Sequence, residues 1–321
     1  MAQQSEQLAH PAQAGVSAAV PGDRFRSSAE ERLKLRSTPG FYRRAWRRYR
    51  RDKIGMVALV IVSAVIIFSV GAPIVSQISG FTAQENHLAD KLSAPGTADY
   101  VLGTDGNGRD ILTRLAYGGR VSLVVATLAA LSTLVIGSLV GSIAGFFGGF
   151  IDTILMRLVD ILLSIPTLSL LILVSALYQP GAVLLALVIA TVSWTGVARL
   201  IRGEVLSLRN RDFVDAARVI GASNTQIIAR HIFPNVVPIT VVWLSLAVPS
   251  LILTEAALSF LGLGVRVPTP SWGNMLQEAR SSYRQAWTFV FIPGFMIYIT
   301  VLAINLVGNT LRDALDPRLN D

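Results

Sequence analysis

Three groups of residues in this 321-residue chain have the types and spacing for chemistry or for contact with a partner. The first is "GTDGNGRD", Gly103 to Asp110, where Gly103 and Gly108 stand at the interval of a phosphate-binding loop. Such a loop needs Lys and then Ser or Thr after its second glycine, to reach the phosphates and hold Mg. Arg109 and Asp110 occupy those places, so no nucleotide is expected there. The second group is a pair of carboxylates, Asp160 and Glu255, set in apolar surroundings. An ionised carboxylate in mid-membrane costs roughly 2.5–3.5 kcal/mol on insertion scales, so each is a candidate for a translocation pathway or for a buried pair. The third is "DFVDAARVIGASNTQIIARHIFPN", Asp212 to Asn235, too polar for lipid yet flanked by long apolar runs. No catalytic residue is expected. The chain has no cysteine, hence no thiolate, disulfide or iron–sulfur ligand, and His10, His87 and His231 are too scattered for a metal site.

The elements that must carry these residues follow from composition. With 52% hydrophobic and 15% charged residues and a mean hydropathy of +0.55, the chain lies outside the balance of a soluble domain. It reads as an integral membrane protein. Segments free of Lys, Arg, Asp and Glu run over 54–84, 121–151, 161–198, 231–254 (continuing past Glu255) and 285–311. A span needs about 20 residues, and the third segment is long enough for two, with "YQPG" at 178–181 as the turn between them. The expected fold class is therefore all-α, with six transmembrane helices.

Basic residues set the orientation, since short cytoplasmic loops collect them. With the N-terminus inside, all but seven of the 28 Lys and Arg fall on the cytoplasmic side; the exceptions are Lys91, Arg109, Arg114, Arg120, Arg266, Arg280 and Arg284. Both termini and the polar loop are then cytoplasmic. The positive charge is read as a topology signal on anionic lipid, not as a nucleic-acid site. Residues 1–38, polar and without a secretory h-region, are expected to be a disordered cytoplasmic tail. A basic anchor with the first span follows over 39–78, then an extracytoplasmic loop over 79–119. The core of the remaining spans covers 120–308, with the polar loop at 203–235, and a cytoplasmic tail covers 309–321.

Within the loop, Asp212 is suited to cap a short helix, with Asp215 in its first turn where the dipole favours an acid. Gly221 suits a left-handed terminating residue, and Ser223 with Gln226 matches a capping box that opens a second helix. Pro234 and Pro238 are expected to interrupt that helix before the next span. In the spans, Arg157 lies three residues from Asp160 and is the expected partner for it. Gly137, Gly141, Gly145 and Gly149 recur every fourth residue, leaving one bare helix face for close packing, and Pro166 and Pro249 are candidate kinks.

"DAARVIGASNTQIIARHIFPN" resembles the coupling loop of ABC importer permeases, with Asp215, Ala216, Ala217, Gly221 and Pro234 in register. Asp215 stands for the usual Glu, His231 for Ile and Phe233 for Leu. "LGTDGNGRDILTRLAYGGRVSL", "RLVDILLSIP", "TEAALSFLGLG", "PSWGNML" and "LRDALDPRL" are similar, in order, to the second permease subunit of dipeptide and oligopeptide importers. The resemblance covers nearly the whole chain from Phe41. It implies half of a heterodimeric pore in the cell membrane, working with a sister permease, two cytoplasmic ATPases and an extracytoplasmic peptide-binding protein. ATP and Mg would sit on the ATPases, with no cofactor in this chain. Asp215, Ala216, Ala217, Gly221, Ala222 and Pro234 would dock the ATPase. Nickel and glutathione importers share these motifs. The reading from another class is a secondary transporter with Asp160 and Glu255 as a proton relay; an uncoupler applied at constant ATP separates the two.

Overall fold

The computed structural model describes residues 41–97, 99–178 and 180–315. The expected tail at 1–38, Gln179 within "YQPG", and the chain beyond 315, including Arg318, lie outside the described residues. Residues 41–44 end a first unit, and the second begins at Ala45. Phe41–Tyr49 forms a helix (α1) whose last turn carries Arg47 and Arg48. Among the described residues there is no strand beyond two isolated bridges in the loop before Ile111.

Five helices are long and apolar enough to span a bilayer: Lys53–Val70 (α2), Ile111–Phe147 (α4), Ala182–Leu208 (α7), Asn224–Phe260 and Trp287–Leu315 (α12). A short helix, Ala72–Ser79 (α3), follows α2. Gly149–Ser164 (α5) and Thr167–Tyr178 (α6) are bent by 83° between them and make a sixth span only if the two cross the bilayer as one broken helix. This corrects the expected start of the third span at 161 and turns the Pro166 kink into a full break. Pro166 has no N–H for a helical bond and forces the residue before it out of the helical region; Ile165 is extended, at φ −94° and ψ 130°.

Other boundaries differ as well. Asp110 caps α4, its carboxylate accepting from Thr113 N at 2.8 Å, so residues 111–119 are helix and not loop. At 37 residues, about 55 Å, α4 is longer than the hydrocarbon core and must project from it. Helix α7 continues to Leu208 and α12 to Leu315, past the expected limits at 203 and 308.

The bundle is organised around α4 and α7. Gly137, Gly141 and Gly145 let the helices meet closely: a methyl built on Gly137 would lie 2.5 Å from Val197 Cβ, and one on Gly141 2.5 Å from the Ala198 carbonyl oxygen. The glycine face therefore serves packing inside this chain. Gly149 leaves the series, because α4 ends at Phe147 and Gly149, at φ +53°, opens α5. Ile111, Leu115, Leu185, Ile189, Ile252, Leu258 and Phe289 form the main core. Trp272 of the short helix Trp272–Ala279 (α11) enters it fully buried, its indole N–H donating to Leu115 O at 3.0 Å.

Candidate coupling loop and charge networks

Between α7 and the next span the chain forms Asp212–Val219 (α8) and Asn224–Ile227 (α9). Arg209, just past α7, donates from Nη1 to Gly145 O at 3.0 Å, binding the carbonyls that end α4. Arg211, and not Asp212, is the N-cap of α8, and it makes no side-chain cap bond. Asp212 and Asp215 both fall in the first turn, so the favourable dipole placement holds. Val214 and Ala217 are buried against Phe146, Val205, Ile227 and Val236, which fixes α8 to the bundle.

The helix ends in a Schellman turn. Gly221, at φ +84°, donates its N–H to Arg218 O, and Ala222 donates to Ala217 O, both at 3.0 Å. A Cβ on Gly221 would meet no atom within 4 Å, so the glycine is required by its backbone angle and not by crowding. Ala222 is partly buried against the loop's apolar cluster. Ser223 and Gln226 complete the expected capping box. The predicted interruption by proline is absent. Helix α9 passes through a π-turn, Ile228–Ile232, straight into Phe233–Phe260 (α10). Pro234 sits in the first turn of α10, where its missing N–H costs least, and Pro238 and Pro249 are carried inside the helix.

The loop's outward face is thereby defined. Asp215 pairs with Arg218 at 2.8 Å, both exposed, and Ala216 is exposed beside them. Ala217 points into the core, so it is available for anchoring and not for surface contact. Val219 and Ile220 are 86% and 84% exposed at the tip. Sequence reading missed these two; the signal was a pair of aliphatic residues directly before a left-handed glycine in an otherwise polar loop.

The carboxylates part company. Asp160 pairs with Arg199 of α7 at 2.5 Å, not with Arg157. Eight residues earlier, Asp152 receives Arg202 in a two-pronged contact of 2.5 and 2.6 Å, so α5 and α7 share two ion pairs. An Arg placed N-terminal to an acid on one helix opposes the dipole, whereas the facing helix offers its cation without that cost. Glu255 is fully buried, accepting from Ser122 Oγ of α4 at 2.8 Å and Ser259 Oγ at 2.7 Å. Ser122 also accepts from Trp272 N at 3.2 Å, so one carboxylate ties α4, α10 and α11 together. Asp160 and Glu255 lie in separate networks, and no relay joins them among the described residues.

"GTDGNGRD" holds its own anion. The Asp105 carboxylate accepts from the N–H groups of Asn107 (2.8 Å) and Arg109 (3.0 Å), where a phosphate loop would place its ligand. Arg109 reaches Asp105 at 2.6 Å and Glu278 of α11 at 2.5 Å, and Arg114 reaches Glu278 at 2.8 Å. Asp105, Arg109 and Arg114 are buried and Glu278 partly so, and the network locks α11 onto the start of α4. Among the described residues no group of His, Cys, Asp or Glu is placed to hold a metal.

Residues 137–321 match the family described as binding-protein-dependent transport system inner membrane component, and residues 40–95 match the N-terminal transmembrane domain of oligopeptide transport permease C. The chain belongs to this permease family. It is 41% identical over 276 residues to the oligopeptide transport system permease protein OppC of Escherichia coli (strain K12), covering 85% of this chain and 90% of that one. The corresponding protein of Haemophilus influenzae is 40% identical, with 85% and 88% covered. The dipeptide transport system permease protein DppC of Bacillus subtilis (strain 168) is 37% identical, with 86% and 85% covered. The permease assignment accounts for the whole set of spans and for a polar loop held rigidly at the end of the bundle, and it stands against the proton-coupled reading.

Proposed function

We propose that this permease forms half of the membrane pathway of an ATP-driven peptide importer and receives the force of ATP hydrolysis through α8. Its partners in this reading are a sister permease completing the pore, two cytoplasmic ATPases that hold ATP and Mg, and an extracytoplasmic peptide-binding protein. The observation that carries it is the division of α8 into two faces. Val214 and Ala217 root the helix among α7, α9 and α10, while Asp215, Ala216, Val219 and Ile220 are left exposed. An exposed apolar pair on a water-facing loop marks a contact surface, and a helix packed into the spans transmits displacement as a rigid body. Peptide as the substrate rests on the printed activities of the relatives, oligopeptide and dipeptide transport. The distribution of Lys and Arg supports a cytoplasmic side for both termini and the loop; a reporter fused after Gly96 is then external and one after Asn210 internal, and the reverse pattern at either site would refute that topology.

Asp215→Arg tests the docking. The exchange breaks the pair with Arg218 and sets a cation at the positive end of α8, costing about 0.3–1 kcal/mol, too little to unfold the bundle. At the interface it reverses a charge, so ATPase subunits are expected to detach or to lose their stimulation by loaded binding protein. Counting ATPase subunits per permease, and hydrolysis with and without loaded binding protein, decides the matter. Full retention with full stimulation would show that coupling runs elsewhere.

A further inference from the structure

The end of α1 and the turn into α2 carry cations that the protein leaves without partners. Ala45 and Tyr49, one helical turn apart, are buried, and the Tyr49 hydroxyl donates to Gly55 O at 3.1 Å, which fastens α1 to the start of α2. Arg47, midway between them in sequence, falls on the opposite face of the helix. Arg47, Arg50, Arg51 and Lys53 are all exposed, and among the described residues none of the four forms an ion pair or a side-chain hydrogen bond. The sequence has no acid from Phe41 to Arg51. The next one, Asp52, is already engaged, accepting from Ile54 N at 2.9 Å and from Thr310 Oγ1 at 2.7 Å.

What lies against these cations follows from the span beside them. Helix α2 has 18 residues, about 27 Å at 1.5 Å per residue, against a hydrocarbon core of about 30 Å. Its first residue therefore stands at headgroup level, and the end of α1 stands there with it. Trp46 is 52% exposed, stacked on Tyr49 with ring centroids 5.8 Å apart, and lies on the flank of α1 between the buried face and Arg47. Ile54 and Val57, at the start of α2, are 63% and 60% exposed. An exposed indole and aliphatic residues beside unpaired cations match the membrane interface, which takes the apolar groups at the acyl boundary and the cations on phosphate. We propose that Arg47, Arg50, Arg51 and Lys53 form a headgroup site for anionic phospholipid, with Trp46 seated in the interface beside them. The site does more than orient the first span. A methyl built on Gly55 would lie 2.5 Å from Thr310 Cγ2, and Asp52 bonds to the same threonine, so lipid held at this turn fixes α2 against α12.

The test uses the complete transporter in nanodiscs containing phosphatidylglycerol or phosphatidylcholine with the same diazirine near the carbonyl end of an acyl chain. Photolabel on residues 45–57 is expected to be several times higher with phosphatidylglycerol. Arg51→Gln should lower that preference about fivefold, the effect of one basic residue near an anionic surface. Arg47→Gln, Arg50→Gln and Arg51→Gln together should bring it close to one, whereas Lys at the same three positions should retain it. Nine of the twelve basic residues between Arg24 and Lys53 remain in the triple Gln variant, so the topology signal persists, and a reporter after Gly96 checks insertion. Thermal inactivation of the wild-type complex should come at a higher temperature in phosphatidylglycerol than in phosphatidylcholine, and the triple Gln variant should lose that difference. Equal labelling by the two lipids in wild type, an unchanged preference in the triple Gln variant, or equal thermal midpoints in the two lipids overturns the proposal. Because the chain has no native cysteine, Arg47→Cys gives it a single attachment site; cross-linking from there to an ATPase subunit or the sister permease would also overturn it, by showing that protein covers these cations.

Discussion

Replacing Gly141 with Ala adds one methyl group to the most tightly packed helix pair in the bundle. The new Cβ would lie 2.5 Å from the Ala198 carbonyl oxygen and 2.9 Å from Ile201 Cβ. Ordinary contact begins at 3.4 Å, and 3.4 less 2.5 leaves about 0.9 Å that α4 and α7 must find by separating, because the obstructing atom is backbone and has no rotamer to change. Overpacking of this kind costs about 1–3 kcal/mol, more than the ~1 kcal/mol that Ala gains over Gly in a helix. Gly203→Ala, on α7, is the control: nothing lies within 4 Å of its Cβ, so only the helical gain remains. Thermal inactivation of the purified complex should therefore fall by several degrees for Gly141→Ala and hold or rise for Gly203→Ala. Equal shifts in the two variants, or a gain for Gly141→Ala, would refute the close approach of α4 and α7. The cost should also be shared: once the helices have parted for Gly141→Ala, adding Gly137→Ala should cost less than it does alone, since both are relieved by the same displacement.

At the turn after α8, Gly221→Val is expected to keep the permease inserted but to uncouple hydrolysis from uptake, because a β-branched residue at φ +84° is strained by about 1–2 kcal/mol. Gly221→Asn, which tolerates that angle better, should retain more coupling; wild-type uptake by the Val variant would exclude the strained turn. On the acid side, Asp52 caps α2, and the Thr310 hydroxyl, then the backbone N–H groups of Gly55 and Ile54, hold its carboxyl below the usual carboxylate range. A depressed value means that the contribution is present above the ordinary carboxylate range, near pH 4, and is lost as pH falls through the lowered value. Thr310→Val removes the largest of these causes, so stability above about pH 4 should fall and the part of it lost on acidification should shrink; an unchanged plateau and an unchanged acid limb would show that the bond at 2.7 Å carries no weight.

What the sequence determined by itself was local in reach. The capping box at Ser223 and Gln226, the left-handed Gly221 and the first-turn Asp215 are all set by interactions spanning at most a few residues, and hydrocarbon thickness prescribes the length of each apolar run. These energies do not depend on which helices become neighbours. Pairing across the bundle does. Asp160 was matched to Arg157 because they share a helix face, yet the partner is Arg199, 39 residues away, brought in by the packing of α7. Glu255 found Ser122 across 133 residues, and Arg114 found Glu278 across 164. The adjacent alanines 216 and 217 look equivalent as letters, and only the seating of α8 turns one outward and the other into the core. Pro234 reads as a stop, but the π-turn before it and the missing N–H in a first turn let the helix run on. Local chemistry fixed how each helix starts and stops, whereas the partners of the buried charges were decided by which faces the apolar packing brought together.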